Sequence, residues 1–163
     1  MTGYISTKSA LAAAAMAVGL GMGATQAANQ AVAAEGSVIE LTQTACQFVE
    51  SENGVDHGYT TSKKADCEAI NGDSGAERLA SSKTITLKPG KHTFRVTNKN
   101  VPYELGFWLR GDGILARATL PSVSGGGLVQ GATKDYVIEL TPGEYVYSCP
   151  LNPTLDYKLV VEG

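Results

Sequence analysis

The chain has 163 residues, with 13 basic and 16 acidic side chains and a formal net charge of −3. No basic run or patch stands out, so the composition argues against nucleic acid as a partner. The length suits one domain with its own hydrophobic core.

The first 34 residues have the pattern of an export signal. Lys8 is the only charged residue before Glu35, an apolar run extends from Ala10 to about Leu20, and small residues suited to signal cleavage follow. We therefore expect residues 1–34 to be removed and residues 35–163 to form one periplasmic or secreted domain. A retained membrane anchor is the alternative, although the apolar run is short for a bilayer span.

The cysteine count is odd, which in an exported chain predicts one disulfide and one leftover thiol. Cys46 and Cys67 are the nearest pair, and their bond would close a loop of about 20 residues, worth on the order of 3 kcal/mol in the chain-entropy model. Cys149 is then the free thiol. Its role is either that of a small buried hydrophobe or that of a metal ligand or reactive group.

Strands dominate the rest of the chain. The first are predicted at 38–42 and 47–49. Residues 50–80 are polar and rich in glycine, and we interpret them as an insertion whose short helix, Lys63 to Ile70, carries Cys67. Alternation of apolar and polar residues then predicts further strands. They lie at 84–87, 92–97, 103–109, 136–140, 145–149 and 157–161, with a glycine-rich connector at 122–131.

Two of these strand pairs are similar in sequence. Residues 85–94 align without gaps with residues 138–147, and both segments turn at Pro-Gly. Two strand–turn–strand units of this kind favour a β-sandwich. The alignment puts His92 at the place of Tyr145, so we interpret His92 as a packing residue rather than a metal ligand.

Taken together, these elements resemble the cupredoxin family. The likeness covers about Ser81 to Gly163. It depends on the Leu-x-Pro-Gly-x-x-x-Phe strand pair, the Asn98-Lys-Asn-Val-Pro102 turn, and the Tyr-x-Tyr-x-Cys149-Pro segment before the last strand. The resemblance implies an all-β fold, a cupredoxin-like Greek-key β-sandwich, here with a short helical, disulfide-stapled insertion at about 50–80.

The resemblance also indicates where copper ligands would lie. The family's cysteine falls on Cys149, while its two histidines and its methionine fall on Tyr103, Asn152 and Tyr157. Blue copper requires two imidazoles and a thiolate. An ordinary blue-copper site is therefore not expected, and Tyr103, Asn152 and Tyr157 are interpreted as lost-ligand positions.

An atypical copper site is one interpretation of what remains. Its metal ligands would be Cys149, Glu104 and Tyr103. The Tyr157 phenol, Asp156 and His57 are further donors that the fold could bring to the same end. In the alternative, Cys149 is a small buried residue that closes the core beneath a Pro-Asn-Pro loop, Asn152 caps that loop through side-chain to backbone hydrogen bonds, and the Tyr157 ring fills the former axial position.

Trp108 and Arg110 suggest a contact with a partner. Period two places both on the outward face of their strand, and a Trp beside an Arg is typical of interface anchors. In the alternative, the insertion covers Trp108.

No catalytic constellation is apparent, because a cysteine nucleophile needs a neighbouring base and neither histidine has a recognisable spacing to Cys149. We therefore do not expect an enzyme. Two hypotheses remain: an exported cupredoxin-like protein that binds copper at an atypical Cys149 site for electron transfer or copper handling, and a metal-free accessory module of a periplasmic or membrane-associated complex. Both imply a protein partner. A membrane contact is expected only through a partner or an uncleaved signal.

Overall fold

The structure is a computed structural model that describes residues 36–163. The predicted signal, residues 1–34, lies outside the described residues. Residues 36–163 form nine strands and two helices. In chain order these are β1 Val38–Thr44, β2 Gln47–Phe48, α1 Lys64–Ser81, β3 Ile85–Leu87, β4 Gly90–Asn98, β5 Leu105–Gly111, α2 Gly113–Thr119, β6 Val123–Leu128, β7 Thr133–Leu140, β8 Gly143–Ser148 and β9 Tyr157–Val161.

The strands form two sheets. One has the order β2-β1-β4-β7 and the other the order β3-β9-β8-β5-β6. Strand β1 is parallel to β4, and β3 is parallel to β9, whereas the remaining pairs are antiparallel. The chain therefore crosses repeatedly between the sheets, as in Greek-key sandwiches. The predicted all-β sandwich is confirmed.

Alternating residues of the strands fill the space between the sheets. In β4 the inward positions from His92 to Asn98 are buried, and the positions between them are partly exposed. Aromatic rings form the centre of this core, and neighbouring rings lie 5.0–6.2 Å apart. They belong to Phe48, Phe94, Phe107, Tyr136, Tyr147 and Tyr157. Burial of each large side chain is worth about 1.5–3 kcal/mol, so this cluster contributes much of the stability of the sandwich.

Helix α1 is longer than predicted. It continues to Ser81, beyond the predicted end at Ile70. Glycines past that point favour a helix end by propensity alone, but Gly75 packs against Leu155, where a Cβ atom would lie 2.9 Å from the Leu155 side chain. Helix propensity alone predicts that Gly75 weakens the helix, but the absence of a side chain at this residue is what allows α1 to pack closely against Leu155.

Two further elements differ from the predictions. The segment predicted as a glycine-rich connector contains strand β6, which pairs with β5. Helix α2 was not predicted. Both depend on close backbone approaches: a Cβ atom at Gly106 would lie 2.8 Å from the Gly125 carbonyl oxygen, and one at Gly111 would lie 2.3 Å from the Ala116 backbone.

The predicted disulfide between Cys46 and Cys67 is confirmed, and both sulfurs are buried. It ties α1 to the turn between β1 and β2, so the insertion is held against the sandwich. Within residues 36–163, neither helix is long and apolar enough to cross a membrane.

Candidate functional site

Cys149 is a free thiol at the end of β8, and only 1% of its surface is exposed. Its Sγ accepts two backbone hydrogen bonds, from the N–H groups of Gly106 and Asn152, each at 3.3 Å. Burial raises the pKa of the Cys149 thiol, and the backbone N–H groups only partly offset this effect. The group is therefore a neutral thiol near pH 7.

Gly106 is a residue of this site that the sequence did not indicate. It lies at a register irregularity of β5, between Leu105 and Phe107. Its carbonyl oxygen accepts a hydrogen bond from Gln43 Nε2 at 2.8 Å, so β1 in the facing sheet holds this part of β5. Gln43 Oε1 is buried and has no hydrogen-bond partner among the described residues. A glycine inside a strand pattern was the available signal, because it often marks a bulge or a close approach.

Both polar atoms of the Asn152 carboxamide are hydrogen-bonded to the protein. Its Oδ1 accepts hydrogen bonds from the Cys46 N–H at 3.3 Å and the Tyr103 hydroxyl at 3.1 Å, and its Nδ2 donates to the Thr44 carbonyl at 3.1 Å. The Cys67 sulfur lies 3.0 Å from the same Oδ1; as a disulfide sulfur it carries no hydrogen, so this is a contact and not a hydrogen bond. Asn152 therefore joins its loop to the β1–β2 turn.

The loop after Cys149 is capped by Thr154. Thr154 Oγ1 accepts a hydrogen bond from the Cys149 N–H at 3.0 Å, and the Thr154 N–H donates to the Cys149 carbonyl at 3.4 Å. The predicted capping of this loop by Asn152 is therefore wrong: Thr154 caps it, while the side chain of Asn152 reaches across to the β1–β2 turn. This cap fixes the backbone on both sides of the thiol.

Tyr103 and Glu104, the two other candidate ligands, form hydrogen bonds with groups other than Cys149. The Tyr103 hydroxyl, besides its bond to Asn152, shares a hydrogen bond of 2.9 Å with Thr61 Oγ1. The Glu104 carboxylate accepts a hydrogen bond from the Gly127 N–H at 2.6 Å and is exposed beside β6. Both groups are therefore engaged in holding loops and strand edges.

Tyr157 and His57 both contact the buried carboxylate of Glu52, Tyr157 from the core and His57 from the exposed side. The Tyr157 hydroxyl donates to the Glu52 carboxylate, His57 Nε2 lies 2.6 Å from it, and Arg78 donates two hydrogen bonds to it, at 2.6 and 2.9 Å. Burial alone would raise the pKa of Glu52, but the hydrogen bonds and charge of Arg78, together with the hydrogen bonds of Tyr157 and His57, hold it below its usual value. Nothing in the sequence pattern indicated this ion pair.

Arg110 supports Trp108 from below the surface. It is only 5% exposed, and its guanidinium lies 4.0 Å from the centre of the Trp108 ring. It also donates to Asp156 at 2.7 Å and to Ser148 at 3.0 Å. The guanidinium of Arg117, from α2, lies 5.6 Å from the same ring. These contacts fix the orientation of the half-buried indole.

Trp108 and the loop after Cys149 form two sides of one cleft, which we name the Trp108 cleft. Its volume is about 380 Å³. It is lined by Gly106, Phe107, Trp108, Ser124, Gly125, Gly126, Pro150 and Leu151. Leu151 is 45% exposed at its rim. Most of these groups are apolar, so the cleft is suited to an apolar group.

The donors near Cys149 do not fit a copper ion. Within residues 36–163, no group of three or more His, Cys, Asp or Glu side chains is arranged to hold a metal. The amide oxygen of Asn152 already accepts two hydrogen bonds, and the Tyr157 hydroxyl is bonded to Glu52. Cys149 is thus the single thiolate-forming group of this site, without the nitrogen ligands that a copper–thiolate centre needs.

No protein-family model matches this chain, and no curated protein matches it. Among solved structures, the chain is similar to auracyanin B, with a TM-score of 0.48 and 12% sequence identity over 78% of this chain and 89% of that chain. At this level of similarity the comparison does not indicate what the Cys149 site binds.

Proposed function

We propose that this protein is an exported, metal-free interaction module with a cupredoxin-like fold, and that it binds a partner protein at the Trp108 cleft. The observation that carries the proposal is that both polar atoms of the Asn152 carboxamide are hydrogen-bonded inside the protein, one of these bonds being to Tyr103. The two positions where the family resemblance places histidines are thus part of the framework.

A metal ion bound at Cys149 would require changes to the buried thiol and to the hydrogen bonds of Asn152. Metal binding requires the thiolate, whereas burial raises the pKa of the Cys149 thiol. To serve as a ligand, the Asn152 amide would also have to give up hydrogen bonds inside the protein, which leaves buried donors unsatisfied at a cost of about 1–3 kcal/mol each. A single soft ligand does not offset these costs.

The Trp108 cleft has the chemistry of a protein contact. A half-buried Trp at the edge of an apolar depression is typical of residues that dominate binding energy. Arg110 holds the indole in place before a partner arrives, so little side-chain entropy is lost on binding. The exposed Leu151 extends the apolar surface at the rim.

Copper at an atypical Cys149 site is the second candidate. Two observations favour it: Cys149 Sγ accepts backbone N–H bonds that would stabilise a thiolate, and Gln43 Oε1 is a buried acceptor without a partner among the described residues. Among the described residues, however, no group of three or more His, Cys, Asp or Glu side chains is arranged to hold a metal, so we place this candidate second.

Metal titration separates the two candidates. Residues 35–163 would be titrated with Cu(I) and with Cu(II), while metal stoichiometry and thiolate-to-copper absorption are followed in the native sequence and in Cys149→Ser. We expect no stoichiometric binding. Tight one-to-one binding that is lost in Cys149→Ser would overturn the metal-free proposal.

The partner site is tested by substitution at the cleft. Leu151→Asp should weaken binding to proteins recovered with the native domain. Val137→Asp is the matched control, because Val137 is 49% exposed on the outer face of the other sheet. Equal binding by both variants would show that the Trp108 cleft is not the contact.

A further inference from the structure

Helix α2 projects two adjacent large apolar side chains into solvent. Ile114 is 94% exposed and Leu115 is 77% exposed, whereas every other exposed large hydrophobic residue among those described is 57% exposed or less. No residue of α2 is buried. The pair is thus a local apolar projection whose removal from water is favourable.

The two ends of α2 are fixed to the sandwich. The Asp112 N–H donates to the Glu144 carbonyl at 2.9 Å, and the Leu120 side chain packs against Gly143. Inside the helix, Ala116 lies directly against Gly111 of β5. Because these contacts hold α2 at the start of β8, the position of Ile114 and Leu115 relative to the sheets is well defined.

The chain before residue 36 joins the sandwich at the same end. The Gly36 N–H donates to the Lys91 carbonyl at 2.8 Å, at the beginning of β4. Gly90 is paired with Leu140, the last residue of β7, and a short turn leads from there to Gly143. Gly36, the residue to which the preceding chain is joined, therefore lies at the same end of the sandwich as α2. Residues 9–34 of that chain carry no charge.

The charges at this end of the sandwich nearly cancel. Lys91 and Arg117 stand against Asp112, Glu144 and Glu139, which is paired with Lys91 across β4 and β7, and none of the five has an ion-pair partner among the described residues. A surface whose charges nearly cancel, with Ile114 and Leu115 projecting from it, is suited to contact with a zwitterionic bilayer rather than with a strongly charged partner. Two side chains alone bind lipid weakly, but a tether at the same end raises their effective concentration.

We propose that the chain that keeps residues 1–34 rests against a lipid bilayer through α2, with Ile114 and Leu115 in contact with lipid. The Trp108 cleft then lies away from the membrane, since its Pro150–Leu151 rim follows the opposite end of β8. The proposal is independent of what binds in that cleft.

The test places an environment-sensitive fluorophore at Leu115→Cys in the full chain, incorporated in phosphatidylcholine vesicles with or without spin-labelled lipid. Cys149 is 1% exposed, so it is protected from labelling in the folded protein. The matched control is Val129→Cys, because Val129 is 57% exposed and follows β6. Its carbonyl is hydrogen-bonded to Ala132, which is bonded to Asn98 at the far end of β4. At the rise of a β-strand, Asn98 lies about 26 Å from Gly90, the first residue of β4. A chain that begins at Glu35 is the untethered control.

We expect the probe at position 115 to shift to the blue and to be quenched several-fold more by spin-labelled lipid than the probe at position 129. The chain that begins at Glu35 should lose most of this quenching. Two outcomes would overturn the proposal: a solvent-like spectrum at position 115 in the vesicle-bound full chain, or a shielded probe that lipid does not quench, which would identify a protein as the cover of α2.

Discussion

The hydroxyl of Tyr103 donates a hydrogen bond of 3.1 Å to Oδ1 of Asn152, 49 residues further along the chain. The cupredoxin resemblance places histidine ligands at these two positions. Here the two side chains bind each other, and Asn152 continues to the backbone of Thr44 and Cys46. Side chains at the two positions where the resemblance predicts metal ligands thus hold the end of this sandwich together.

Asn152→Ala should destabilise the domain by about 2–4 kcal/mol, because the Cys46 N–H, the Tyr103 hydroxyl and the Thr44 carbonyl lose their partner. Urea unfolding of residues 35–163 measures the change. Asn100→Ala is the control, since Asn100 is exposed in a neighbouring loop. Equal stability of the two variants would contradict the framework role of Asn152.

Replacement of both Cys46 and Cys67 by Ala should lower the free energy of unfolding by about 3 kcal/mol, the value expected for a loop of this length. The effect has two parts, because the disulfide constrains the unfolded chain and also lies against Asn152 in the folded one. Thermal unfolding of the variant and of the chemically reduced native chain should agree. An unchanged melting curve after confirmed reduction would rule out a stabilising role.

The strands on either side of the Pro-Gly turns could be predicted because their alternation is a local property of the sequence. Strand β6 could not, since its glycines have low strand propensity and the strand depends on pairing with β5. The end of α1 was misplaced for a similar reason: the packing of Gly75 against Leu155 joins segments far apart in the chain.

The candidate site was only partly predictable. The resemblance identified Cys149, Tyr103 and Asn152 as positions of interest, and their side chains or backbones do meet. The hydrogen bond from Gly106 to the thiol has no sequence signature, because a backbone N–H is common to nearly all residue types. Glu52 and Arg78 lie 26 residues apart in a polar segment, where charges are usually solvated.

Cys149 should be nearly unreactive towards thiol reagents in the folded domain. Its exposure is 1% and burial raises its pKa, so at pH 8 both access and the thiolate fraction are low. Labelling with a chromogenic disulfide reagent should proceed only with unfolding, and one thiol per chain should react in denaturant. A native-state rate close to that of a free cysteine would show that the Cys149 loop opens readily.

Glu52→Gln should destabilise the domain by about 3–5 kcal/mol at pH 7, because it leaves Arg78 buried without its countercharge. Glu40→Gln is the matched control. Glu40 contacts Arg95 at 3.4 Å on the exposed face of a sheet, where such a pair is worth about 0–1 kcal/mol. Chemical denaturation of both variants gives the comparison, and similar losses would contradict a dominant role for the buried pair.

The stability difference between the native domain and Glu52→Gln should depend on pH. The pKa of Glu52 is held below its ordinary value of 4.5 in the folded state, mainly by Arg78 acting against burial. A lowered folded pKa means that the carboxylate stabilises the fold fully above pH 4.5 and that this contribution is lost as the pH falls through the folded pKa. Below that pH the protonated Glu52 resembles glutamine, so the unfolding free energies of the two proteins should converge. Denaturation at a series of pH values from 7 to 2.5 measures the difference directly, and a constant difference across the series would show that Glu52 does not titrate with the fold.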